Sequence, residues 1–291
     1  MTARHSDSSI RMGGLALLAA ALGFIGAFTY LAVRFDYPGV LEAPAMTALP
    51  ALLAMGSTGR AVWALYGLLP LLLIPAAVGA RTAFRGSDED GMHMAVLLAV
   101  VAAVSMMLGL QRWPSIQWEL ARAYASSGPE ARTVIAAVFD GLNRYLGNYL
   151  GEFVGELSLN AFFLLSARAM WRSRSVPRWI AGLGVISGAL GSIAMWRNVT
   201  DLVAPVAALN NAALPLWMIV FGVTLLAIGA HLQGHPQMAA KPLLRFAEDS
   251  PDELCPLCRT MPNAIATMPL PNRVVGVCRR TLIAERYAFR G

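Results

Sequence analysis

The sequence predicts an all-α membrane protein, a polytopic helical bundle of about six spans, and three observations predict it. Hydrophobic residues make up 57% of the 291 residues and charged residues only 14%, where a soluble domain carries about 25% charged residues. The mean hydropathy is +0.56. The apolar residues also gather into separate stretches, each long enough to cross a hydrocarbon core of about 30 Å as a helix of about 17–25 residues.

In chain order those stretches are 13–33, 61–78, 94–110, 148–170, 179–196 and 212–232. The first is too long and too evenly apolar for the central region of a signal peptide, so it reads as an uncleaved span. Pro70 and Pro75 fall inside the second, where neighbouring helices can satisfy the backbone groups that proline frees. None of the stretches alternates every second residue as the strands of a membrane barrel do. Trp63, Trp113, Trp171, Trp179, Trp196 and Trp217 lie at or near span ends and Trp118 lies within a loop. Indole rings favour the headgroup region, so this placement supports six spans. Between the third and fourth spans, Val134, Ile135, Val138, Leu142 and Tyr145 fall near helical spacing, which predicts an interfacial helix running into the fourth span. The prolines and short apolar patches of 35–60 predict a loop lying on the bilayer surface. The spans form one domain, 1–236, and 237–291 reads as a polar, disordered tail.

Charge sets the orientation. The 23 basic residues against 17 acids give a net charge of +6, shared evenly between the spans and the tail, with no basic run interleaved with aromatics to suit nucleic acid. Arg168, Arg172, Arg174 and Arg178 form a loop without an acid, which marks it as cytoplasmic. Both termini then face the cytoplasm. Outside the tail, this orientation places eight arginines inside and seven outside, so that loop carries the assignment.

The fourth span holds the residues that a membrane makes most expensive. Asn148, Glu152, Glu156 and Asn160 recur every four residues, which places them on one slowly rotating side of a helix. Ionisable groups in hydrocarbon cost about 2.5–3.5 kcal/mol each and face a bundle interior or a wet cavity. At about 1.5 Å per residue, Glu152 and Glu156 lie one and two turns below Asn148, toward the outer face. Two carboxylates one turn apart repel each other and are expected to share a proton. Arg144, at the start of the span, is the expected mouth of an outward-open polar crevice. Gly147, Gly151 and Gly155, and likewise Gly184 and Gly188, have the spacing of close helix–helix seams.

Metal and cofactor chemistry find little footing. His5, His93, His231 and His235 all fall on the inner side, away from the glutamates, so no metal centre is expected in the bundle and no cofactor is implied. Cys255-Pro-Leu-Cys258 with Cys278 is one ligand short of a structural zinc site; incidental cysteines are the favoured reading, with a tail site that borrows a ligand or a redox pair as the alternatives. No nucleophile, base and electrophile can be placed together, so an enzyme is not expected.

Phe35-Asp36-Tyr37-Pro38, Arg112-Trp113-Pro114, Leu142-Asn143-Arg144-Tyr145-Leu146-Gly147 leading to Gly151-Glu152 and Gly155, and Pro177-Arg178-Trp179 together resemble a bacterial membrane family catalogued as domain of unknown function 4386. The resemblance covers about 12–232. It implies the multi-pass architecture and a bacterial cytoplasmic membrane, and it assigns no activity. The expected function is therefore a non-catalytic binding or packing module. Its partners are the lipid bilayer and either a small polar or lipid-derived ligand or another membrane subunit. The alternative is proton-coupled transport through Glu152 and Glu156.

Overall fold

A computed structural model describes residues 2–41, 43–173 and 175–234. The chain divides into two units, Met1–Ala230 and His231–Gly291. The helical bundle belongs to the first. The proposed tail, with Cys255, Cys258 and Cys278, lies outside the described residues, as does His235.

Among the described residues the regular structure is helical, and six helical stretches are long and apolar enough to cross a membrane. The first is α1, Thr2–Phe35. It ends where Asp36 adopts a φ of 52°, a left-handed conformation that Asp tolerates better than most residues. A 3₁₀ turn at Gly39–Leu41 and helix α2, Ala45–Ala54, follow. Gly56, with φ of 64°, then lets the chain turn sharply into α3. The second span is broken in the middle. Helix α3, Gly56–Leu68, passes through a 3₁₀ turn at Leu69–Leu72 into α4, Leu73–Phe84, because Pro70 has no N–H to continue the α-helical ladder.

Helix α5, Glu89–Gln111, is followed by α6, Ile116–Ser126. The helix expected ahead of the fourth span is α7, Pro129–Leu142, which continues without a break through a π-helical stretch, Asn143–Val154, into α8, Gly155–Arg172. This run spans 44 residues, roughly 66 Å of rod at helical rise. A hydrocarbon core of about 30 Å takes in less than half of it. Helix α9, Arg178–Ala194, closes with a 3₁₀ turn at Met195–Asn198, and α10, Ala204–Gly234, completes the bundle.

Helix α5 packs against α4 and α8, with α1 beyond α4 and α9 beyond α8. Small residues set these approaches. A Cβ at Gly13 would lie 2.8 Å from the Cα of Gly79, and one at Gly109 would lie 2.6 Å from the Cα of Gly151. The backbones of α1 and α4, and of α5 and the π stretch, therefore touch directly. Gly155 meets Met106 of α5, and Gly184 meets Trp217 of α10, so both sequence-spaced glycine series are packing seams. Leu22, Leu65, Leu97, Ile186 and Leu216 are between 61% and 63% exposed, an outward apolar surface suited to lipid.

The structure corrects two expectations. Trp63, Trp113 and Trp217 are buried among protein groups, and only Trp171, Trp179 and Trp196 of the six present an exposed ring. Trp118 belongs to α6 and is packed inside as well. The second correction concerns 35–60, which folds inward. Phe35, Val40, Leu49 and Leu52 join Trp63, Trp113, Trp118 and Phe139 in one buried cluster, with Trp63 and Trp113 stacked 5.1 Å apart. Bringing aromatic faces together in this way removes more apolar area than spreading a short loop over a surface. The loop, α6 and α7 thus form a cap over one end of the bundle.

At the opposite end a charged group holds the connections together. Asp88, before α5, accepts from Arg168 Nε at 2.7 Å and Nη2 at 3.1 Å, and lies 3.3 Å from Arg172 Nη1. The hydrogen bonds from Arg168 hold the Asp88 carboxyl below the usual carboxylate range, against its partial desolvation.

Candidate functional site

Beneath the cap lies a cavity of about 460 Å³, within the range of small-molecule sites. Asn148, Glu152, Glu156 and Asn160 all line it. The π stretch explains how four residues at this spacing reach one space. In an α-helix each four-residue step overshoots a full turn by about 40°, so twelve residues would swing the stripe through about 120°. Bonds from i to i+5 hold more than four residues per turn, so the step falls short there and offsets the overshoot. Extended π geometry is rare and concentrates at functional sites.

The two carboxylates are joined by Arg197 from the turn after α9. Its Nη1 donates to Glu156 Oε2 at 2.8 Å, and Nη2 donates to Glu156 Oε1 at 2.6 Å and Glu152 Oε2 at 2.9 Å. The side chains of Arg197, Glu152 and Glu156 are 28%, 23% and 17% exposed. A guanidinium thus bridges the two carboxylates.

A second guanidinium lines the cavity. Arg112 is 3% exposed. Its Nε and Nη2 donate to Asn143 Oδ1 at 3.1 and 3.0 Å, and Nη1 donates to the carbonyl of Gly109. Asn143 in turn donates to the carbonyl of Leu41 at 2.8 Å, which fastens the cap to the π stretch. Gly147 leaves the space that Arg112 fills, since a Cβ there would collide with the guanidinium. Tyr37 of the cap also lines the cavity. Burial, with the charge of Glu152 adding to it, pushes its hydroxyl up to about 12, so it stays a neutral hydrogen-bond donor.

Asparagine is the recurrent residue of the polar wall: Asn148, Asn160, Asn198, Asn210 and Asn211. Asn160 is 1% exposed and neither atom of its amide has a partner, and Oδ1 of the buried Asn210 has none either. Gly191 provides the room for Asn160, because any Cβ there would strike its amide. The facing wall is apolar and aromatic, from Phe24, Phe28, Tyr66, Leu69 and Met218 among others.

Arg144 is the site residue the structure places elsewhere. It is exposed and is not among the lining residues, while the neighbouring Asn143 is buried against Arg112. Sequence reasoning does not name Arg112, Arg197, Asn198, Asn210, Asn211 or Tyr37 as cavity residues, although Arg112 and Tyr37 stand in the strings that carry the family resemblance and Asn198 in an Asn-Val-Thr string that matches a glycosylation sequon. From sequence the two arginines read only as topology markers, and Asn210 and Asn211 stand just before the predicted sixth span. Among the described residues no three His, Cys, Asp or Glu side chains are grouped to hold a metal ion.

These features define a multi-pass helical membrane protein with a partly open cavity that has one polar and one apolar wall. A family model described as domain of unknown function 4386 matches residues 12–229, and the chain belongs to that family. No curated protein and no solved structure matches it.

Proposed function

We propose that this protein is a non-catalytic binding module whose ligand is a small amphipathic molecule seated in the cavity. The observation that carries the reading is the pairing of two kinds of wall around one space. On one side stand the Glu152–Glu156–Arg197 cluster and the unpartnered amide of Asn160, and on the other the aromatic and aliphatic side chains. Such atoms occur elsewhere in the bundle too, on Gln117, Ser166 and Ser187 among others, but those of Asn160 and Asn210 belong to residues lining the cavity, where a ligand head group would supply the missing partners. Among the lining residues, Asp201, Ala204, Ala208 and Asn211 are exposed, as are Pro38 and Gly39 of the cap, so the mouth lies between the cap and the start of α10. The alternative, proton-coupled transport through Glu152 and Glu156, would require these carboxylates to exchange Arg197 for a proton.

We also assign the chain to a bacterial cytoplasmic membrane with its capped end outward, supported by the family resemblance and by the acid-free connection with Arg168, Arg172 and Arg178 at the opposite end. All three cysteines lie after position 254, so a membrane-impermeant thiol reagent should label inverted vesicles and spare intact cells. Labelling of intact cells reverses the orientation.

The binding reading is tested by extracting purified protein and identifying small molecules by mass spectrometry. The expected result is an amphiphile retained near one per chain and lost on Asn160→Leu together with Asn210→Leu. A protein that retains no such molecule, and gains no thermal stability from any amphiphile in a broad panel, refutes the reading.

A further inference from the structure

Resting on that reading, we infer that the ligand's head group is uncharged and bears both hydrogen-bond donors and acceptors, as in a polyol-headed lipid such as a monoacylglycerol. The charges within the cavity wall already balance. Glu152 and Glu156 supply two negative charges, and Arg197 and Arg112 supply two positive ones. Asp201, which also lines the cavity, is exposed to solvent and stands outside this balance. An ionic head group would add an uncompensated charge beside a cluster whose charges already balance.

The groups left without a partner point the same way. Arg112 has five N–H groups and uses three of them, on Asn143 and Gly109. Asn160 offers one unused donor nitrogen and one unused acceptor oxygen, and Asn210 offers an acceptor oxygen. Glu152 engages Arg197 through Oε2, which leaves Oε1 as a further acceptor. The polar wall therefore holds both unused donors and unused acceptors. A carboxylate or phosphate head only accepts and an ammonium head only donates, so each satisfies half of this set. Vicinal hydroxyls satisfy both. The cavity, about 460 Å³, holds roughly fifteen water-sized volumes of about 30 Å³, enough for a glycerol head and a short acyl chain.

The experiment compares four ligands with the same short chain on the full protein in phosphatidylcholine nanodiscs: 1-octanoylglycerol, octanoate, octylamine and octylphosphocholine. Binding is read by thermal shift and by native mass spectrometry, for wild type, Asn160→Leu and Asn210→Leu. The glycerol ester should bind most tightly, by on the order of tenfold over each ionic ligand, and either variant should remove most of that advantage. If an ionic ligand binds as tightly and is sensitive to Asn160→Leu, the head-group inference falls while the binding reading stands. If no ligand binds, or if binding ignores both variants, water serves the asparagines and both readings fall.

Discussion

Replacing Arg197 by Met tests the central ion cluster, because it deletes the guanidinium while keeping much of the apolar stem. The wild-type side chain donates to two carboxylates at 2.6, 2.8 and 2.9 Å. Removing one partner of a buried pair costs about 3–5 kcal/mol, since the remaining charge stays desolvated. Here the three side chains are 17%, 23% and 28% exposed, so water reaches the cluster and the cost falls to the low end, about 3 kcal/mol. At about 2–4 °C per kcal/mol for a chain of this size, Arg197→Met should lower the melting temperature by roughly 6–12 °C. Adding Glu152→Gln and Glu156→Gln removes the stranded charges, so the triple variant should recover most of the loss. Thermal unfolding in nanodiscs, followed by tryptophan fluorescence, measures both. A single variant within about 2 °C of wild type, or a triple variant no better than the single, refutes the argument that Arg197 neutralises a buried carboxylate pair.

The helix seams give a second test. Gly109→Ala sets a Cβ 2.6 Å from the Cα of Gly151, backbone that cannot swing aside, and should cost about 1–3 kcal/mol. Gly26→Ala meets nothing within 4 Å and should be neutral or slightly stabilising; equal effects from the two would sink the packing claim. The Asp88 carboxyl lies below its ordinary value of 3.8 when folded, so its contribution is complete above that value and is lost as pH falls through the folded value. The stability difference between wild type and Asp88→Asn should therefore be flat near neutrality and shrink only below about pH 4. Lipids brominated along their chains should quench Trp171, Trp179 and Trp196 in single-tryptophan variants and leave Trp63 and Trp113 bright. Strong quenching of Trp113 would contradict the buried cluster beneath the cap.

The spans were legible because a single physical requirement, about twenty apolar residues in a row, outweighs local detail. The stripe from Asn148 to Asn160 was legible for the same reason: four polar side chains in hydrocarbon need a common wet space. Its partner was not. Arg197 lies 41 residues from Glu156, and nothing in a span-end arginine distinguishes an ion-pair partner from a topology marker. The tryptophans misled in three cases because burial against other rings satisfies an indole as well as a headgroup region does. The π stretch left only an indirect trace, in glycines every four residues that permit the close contact with α5 and with Arg112. The cap was hidden by its prolines, which mark where helices begin and end and carry no sign of what the short pieces between them will pack against.

The ion cluster also bears on how the protein enters the membrane during synthesis. Its negative charges belong to the fourth span and its positive charge to the end of the fifth, with only a short connection between Arg172 and Arg178. Inserted alone, the fourth span carries two carboxylates into lipid, each at a cost of up to about 2.5–3.5 kcal/mol. That penalty persists until Arg197 has been translated and has folded back beside them. The cheapest route is partition of both spans together as a hairpin, with the fourth held at the translocon while the fifth emerges. The rate at which about forty residues are synthesised after Glu156 therefore sets how long the nascent chain waits in its most vulnerable state.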